Sequence, residues 1–202
     1  MPLTLDIKET AWRIRELVWG GFHPFGDIGW RITDEYLGNA TDEDELWVAD
    51  TVARECAEKQ AAEDSWPPST EYARLDHVFR QLNKERYITL HRAGNDQTEG
   101  KEEARTRWVE SGGKDSGVLG YCFYHSQDVD RAVHTGNLFL SFSGVGPTPE
   151  ERDANTNKLA ARLVSLLNEA DFSVLWNGSL DERLQIQLGQ WRKRSTEGLV
   201  IN

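Results

Sequence analysis

Seven consecutive residues, Val118-Leu119-Gly120-Tyr121-Cys122-Phe123-Tyr124, are apolar at nearly every position, and His125, Ser126, Gln127 and Asp128 follow with no spacer. Successive side chains of a strand point to opposite faces, so a strand that is apolar at both parities has both faces buried. The segment therefore predicts a central strand, and the rest of the chain must supply neighbouring strands and helices to cover it. Polar residues at the carboxyl end of such a strand stand where open α/β sheets commonly place ligands.

The flanking sequence is consistent with that frame. Tyr87 to Arg92 reads as a strand, Gly94 to Gly100 as an exposed loop, and Lys101 to about Glu110 as a helix. After the central strand, Ser126 can cap a short helix that carries Val129, Ala132 and Val133 and stops at Gly136. Leu138, Leu140 and Phe142 then alternate with Phe139, Ser141 and Ser143, so the segment reads as a second strand closing a βαβ unit. Thr148-Pro149-Glu150-Glu151 is a strong helix start, with Thr as cap and Pro at the first helical position, and the helix runs through Leu159, Leu163 and Leu167 to Ala170. Last come a strand Phe172 to Trp176 and another with Leu184, Ile186 and Leu188. A two-residue Asn177-Gly178 hairpin would place Val174 and Trp176 on the face of Asp181, Arg183 and Gln185, so a longer loop of odd length is expected.

Residues 1 to 86 read as helices. Ile7, Ala11, Ile14 and Val18 share one face of a helix ended by Gly20-Gly21, and a second helix is expected from Asp27 to Leu37. Thr41, followed by Asp42 to Glu45, is an N-cap with acids on the positive end of the helix dipole, opening a helix with Leu46, Ala49, Ala53 and Cys56 inward. Trp66-Pro67-Pro68 breaks the pattern. Ser69 can cap the next helix, whose stripe is Tyr72, Leu75, Phe79 and Leu82. The expectation is an α+β protein, with a helical part at 1–86 and an α/β part at 87–202. The two form one continuous unit: helices packed on a mixed sheet of about five strands, with βαβ units and a terminal antiparallel strand.

With 202 residues, 38% of them hydrophobic, the chain can bury a core without staples. Its formal net charge is -11. Residues 1 to 86 carry 18 acids against 10 bases, and residues 87 to 202 carry 16 against 13. Such a field repels phosphate backbones and anionic lipid, so neither nucleic acid nor membrane is an expected partner. Cys56 and Cys122 have no Cys or His at ligand spacing, and no signal peptide or membrane-spanning run is evident, which points to the cytoplasm. Trp191-Arg192-Lys193-Arg194 is the one basic cluster and reads as a solvated end.

Several of these segments together carry a family resemblance. Gly120-Tyr121 leading to Tyr124-His125-Ser126-Gln127-Asp128, Leu138 to Gly144, Trp176-Asn177-Gly178 and the closing Trp191-Arg192 resemble the bacterial family catalogued as domain of unknown function 6891. The helix bearing Arg74-Leu75-Asp76-His77-Val78-Phe79 and the strand at Ile88 fit as well, so the similarity spans about Tyr72 to Arg194 and, more loosely, the N-terminal helices. The resemblance implies kinship and no particular chemistry.

Candidate chemistry rests on two loops. His125, Gln127 and Asp128 can bind a ligand or move a proton, since the unperturbed pKa of His lies nearest neutrality. Equally, His125 and Ser126 can satisfy backbone groups at a strand-to-helix junction while Asp128 complements the helix dipole. Ser143-Gly144-Val145-Gly146-Pro147-Thr148 can bring backbone amides to an anion, yet it lacks the dinucleotide fingerprint and the P-loop lysine, and a glycine-dependent turn explains it too. If both loops leave parallel strands of one βαβ unit, His125, Gln127, Asp128, Ser143, Gly144, Gly146 and Thr148 line one edge.

The remaining histidines, His23, His77, His91 and His134, have no zinc spacing and read as surface or capping residues. Neither a metal nor a cofactor is implied, and catalytic residues are not identifiable. The expected function is a noncatalytic binding or interaction module for a protein or small molecule. The alternative is a small acid–base enzyme using His125 and Asp128.

Overall fold

The computed structural model describes residues 3–195. Backbone proximity groups them into two compact units, 3–70 with 191–195, and 71–190, the second inserted into the first along the sequence.

The first unit is helical: α1 (Ile7–Gly20), α2 (Phe25–Trp30) and α3 (Asp42–Ser65). The helix expected over Asp27 to Leu37 forms, but after Trp30 it widens into a π-helix over Arg31–Leu37. Thr41 caps α3 as expected, and Asp44 completes the capping box. The stripe of α3 is rotated from the expected one. Val48, Val52 and Cys56 join Ile14, Val18, Ile28 and Ile32 in the core, whereas Leu46 is 68% exposed. Cys56 is inward as expected, but Val48 and Val52 stand one position before the expected Ala49 and Ala53, an offset of about 100° around the helix. Asp44 helps set the phase by binding Thr4 and Leu5.

Residues 191–195 return to this unit. Trp191 and Lys193 are buried, which corrects the expectation of a solvated end. The cause is the C-terminus of α1, whose last carbonyls have no intrahelical partner. Lys59 Nζ donates to Val18 O at 3.1 Å, Trp191 Nε1 to Gly20 O at 3.1 Å, and Lys193 Nζ to Gly21 O at 2.8 Å. Two ammonium groups thus meet the negative end of the helix dipole.

The second unit runs α4 (Glu71–Lys84), β1 (Tyr87–Leu90), α5 (Gln97–Glu110), β2 (Gly120–Phe123), α6 (Ser126–Thr135), β3 (Asn137–Gly144), α7 (Pro149–Glu169), β4 (Ser173–Leu175) and β5 (Leu184–Gln187). The expected stripe of α4 is buried, and the helix packs on β1, so it groups with the sheet rather than with the helices before it. Part of the expected 94–100 loop is helical, because Asp96 accepts from Thr98 N and Glu99 N and starts α5 early.

The sheet order is β1-β2-β3-β5-β4. β2 is interior, and β1-α5-β2 is a parallel βαβ unit. β2 and β3 are antiparallel, however, with Phe123 opposite Ser141 and Gly120 opposite Gly144, so β2-α6-β3 is not the βαβ unit the sequence suggested. α6 reverses the chain beyond the carboxyl end of β2 instead of carrying it back to the amino end. Val174 pairs with Ile186, so β4 and β5 keep their apolar residues together across the long loop, as expected.

Register divides the side chains between two faces. Cys122, Leu138, Leu140, Phe142, Leu184 and Ile186 share the face covered by α7, where Gly144 lies so close that a Cβ would come within 2.4 Å of Arg152 O. Tyr121, Phe123, Phe139, Ser141, Ser143 and Gln185 share the other. α5 approaches that face at Gly100, whose Cβ would fall 2.2 Å from the Phe123 ring.

Candidate functional site

At the carboxyl end of β2, His125 rather than the expected Ser126 is the N-cap of α6, and Ser126 is its first residue, so the helix starts one position earlier than expected. The Asp128 carboxylate reaches back to accept the His125 backbone N–H at 3.1 Å, and His125 Nε2 lies 3.1 Å from the same oxygen. Arg183, just before β5, completes the group: its Nη2 donates to Asp128 Oδ2 and to Phe139 O, the latter at 3.0 Å. Asp128 is 1% exposed and His125 5%.

Burial pushes the His125 imidazole below its ordinary value, outweighing the upward pull of Asp128. The neutral ring then presents an Nε2 proton to Asp128 and a lone pair at Nδ1, and Nδ1 is buried without a partner. Gln127 behaves differently. Its side chain is exposed and its N–H donates to Asn95 O at 3.3 Å.

Arg183 also reaches a cavity of about 280 Å³ on the α5 side of the sheet. Gln97 and Lys101 of α5 form one wall, Tyr121, Ser141 and Ser143 the floor, and residues 180–183 the far side. Burial raises the Tyr121 hydroxyl above its usual value while a hydrogen bond with Ser143 opposes the shift, so it stays protonated. Ser141 is 4% exposed, and neither its Oγ nor Arg183 Nε has a partner.

The seven residues singled out from sequence therefore do not share one edge. Their expected convergence assumed parallel strands, whereas antiparallel pairing sends the chain after β3 to the opposite end of β2 from His125. His125 and Asp128 form the buried cluster, and Ser143 faces the cavity. Gly144 packs against α7, its N–H donating to Thr156 Oγ1 at 2.8 Å. Gly146 borders a different cavity, and Thr148 caps α7 by accepting from Glu151 N at 3.2 Å. Arg183 links what remains, touching Asp128 and the cavity that Ser143 lines.

Arg183, Ser141, Tyr121 and Lys101 escaped the sequence reading. The available signal was polar residues recurring at alternate positions, Ser141 and Ser143 in one strand and Arg183, Gln185 and Gln187 in another, which together make a polar sheet face.

His91 is not a surface histidine. Its Nδ1 lies 2.7 Å from Tyr124 Oη and its Nε2 3.1 Å from Asp76 Oδ1, with the ring packed on Tyr72 and Phe79. Burial drives the Tyr124 hydroxyl well above its usual value, and the His91 hydrogen bond lowers Asp76. A protonated phenol, an imidazole and a carboxylate thus tie β1, β2 and α4 together.

Among the described residues, no three His, Cys, Asp or Glu side chains converge as a metal set, and no helix is long and apolar enough to cross a membrane. A family model described as a domain of unknown function (DUF6891) matches residues 5–195. Neither the curated proteins nor the solved structures yield a match.

Proposed function

The chain belongs to the DUF6891 family, and we propose that its sheet-bearing unit is a noncatalytic binding module for a small polar molecule, held in the cavity between α5 and the polar sheet face. The observation that carries this reading is Ser141. It is buried on the cavity floor with an unpartnered hydroxyl, beside the unpartnered Nε of Arg183. An unsatisfied buried polar atom costs about 1–3 kcal/mol, which a ligand offering an acceptor recovers. Lys101 and Arg183 on one hand, Asp181 and Glu182 on the other, put both charge signs around a small volume, and this suits a polar or zwitterionic molecule. The free thiols of Cys56 and Cys122 agree with a cytoplasmic setting.

A second reading, an acid–base enzyme using His125 and Asp128, has the neutral imidazole with its unpartnered Nδ1 in its favour. Against it, Asp128 is committed to Arg183 and to the His125 N–H, and neither His125 nor Asp128 lines the cavity.

Saturation-transfer NMR with a mixture of polar metabolites tests the first reading. Signals from small polar compounds are expected with the native chain and lost in Ser141→Val, whose fold should survive because a β-branched residue suits a strand, the unsatisfied hydroxyl is removed, and the added methyl has the cavity beside it. Equal signals in both proteins, or none in either, overturn the reading. Loss on His125→Gln with retention in Ser141→Val favours the second.

A further inference from the structure

We propose a second ligand site, at the amino end of β2, for a small aromatic carboxylate. The cavity there measures about 300 Å³. Its walls are the Trp108 indole of α5 and the side chains of Val118, Leu119, Val145 and Pro147, and its two charged members are Arg86 and Lys114. No acid lines it. In a chain with 34 acids and 23 bases, a cavity with two cations and no carboxylate departs from the average surface.

Among the described residues, Arg86 and Lys114 make no side-chain hydrogen bond or ion pair. The backbone that presents them is held in place. Arg86 has a left-handed φ of 66°, and its carbonyl accepts Leu119 N at 2.9 Å, which ties the turn after α4 to the strand entering the sheet. Lys114 follows Gly112 and Gly113, with φ of 105° and 59°, and precedes Gly117, with φ of 70°. A Cβ at Gly117 would lie 3.6 Å from Arg86 Nη1, an ordinary contact distance, so the guanidinium lies beside this turn. On the opposite wall Asn155 Nδ2 donates to Val145 O at 2.7 Å and steadies the 145–147 segment.

An occupant must offer a flat apolar body for the indole and aliphatic walls and an anionic head for two cations. A ring bearing a short carboxylate meets both demands. A polyphosphate lacks the apolar body, and a neutral arene leaves the cations unused. A guanidinium that pairs with a carboxylate through parallel N–H donors adds directionality. This site shares no lining residue with the cavity of the proposed function and does not depend on it.

The test uses the full chain with 3-phenylpropionate and its amide as probes, followed by calorimetry and by amide chemical shifts. The acid should bind and shift resonances at residues 108, 114, 118, 145 and 146, and the amide should bind about tenfold more weakly or worse, as the loss of a charge-assisted hydrogen bond implies. The double variant Arg86→Gln, Lys114→Gln should lose a similar factor with an unchanged melting temperature, because both side chains are exposed. Ser141→Val should bind the acid as the native chain does. Equal affinity for acid and amide, no effect of the double variant, or no shifts at those residues at millimolar probe overturns the proposal.

Discussion

Arg183 and Asp128, 55 positions apart in sequence, form a partly buried ion pair in which one guanidinium nitrogen also holds the Phe139 carbonyl. The contact joins α6, β3 and the start of β5. Removing a partner of a buried pair leaves an uncompensated charge and costs about 3–5 kcal/mol. Arg183 is partly exposed and Asp128 keeps the His125 N–H, so Arg183→Gln should cost about 3 kcal/mol, the low end of that range. Adding Asp128→Asn should recover part of the loss. Urea unfolding of the two variants measures this, and a loss in Arg183→Gln below about 1 kcal/mol means the pair behaves as a solvent-screened one.

Gly100→Ala sets two effects of opposite sign against each other. Helix propensity favours Ala over Gly by about 1 kcal/mol. The new Cβ, however, would fall 2.2 Å from the Phe123 ring, which is fully buried and cannot retreat. Overpacking costs about 1–3 kcal/mol, so a net loss of stability is expected, read as a lower denaturation midpoint.

Acid should weaken the protein through His125. Its folded pKa lies below the ordinary histidine value, so the unfolded chain takes up the proton first as pH falls. The contribution is therefore complete above about pH 6.5 and declines below it toward the lower folded value. Unfolding free energies between pH 5 and 8 should slope upward with pH in the native chain and more shallowly in His125→Gln. Parallel profiles would show that His125 does not titrate this way.

Thr148 separates a cap from a ligand contact. Thr148→Ala should lower stability by about 1 kcal/mol, since the hydroxyl accepts the Glu151 N–H. It should leave small-molecule binding unchanged. A binding defect without loss of stability would restore Thr148 to a ligand site.

The sequence alone determined most of the elements and the burial of β2 and of α4. Apolar residues at both parities marked β2 as interior, Thr41 and Thr148 marked helix starts, and the stripe of α4 appeared as read, because each of these depends on neighbours a few residues apart. Pairing direction lay beyond it. A helix between two strands can cross back over a sheet or turn the chain at its end, and the local pattern of Ser126 to Gly136 is the same either way. Only the register of Phe123 with Ser141 decided that the loops after β2 and β3 emerge at opposite ends, which dispersed the expected site. Tertiary contacts also decided which polar side chains became buried. Lys193 is buried because α1 ends in unpaired carbonyls, and Arg183 is held where Asp128 stands 55 positions away; no periodicity within a single element encodes a partner supplied by another.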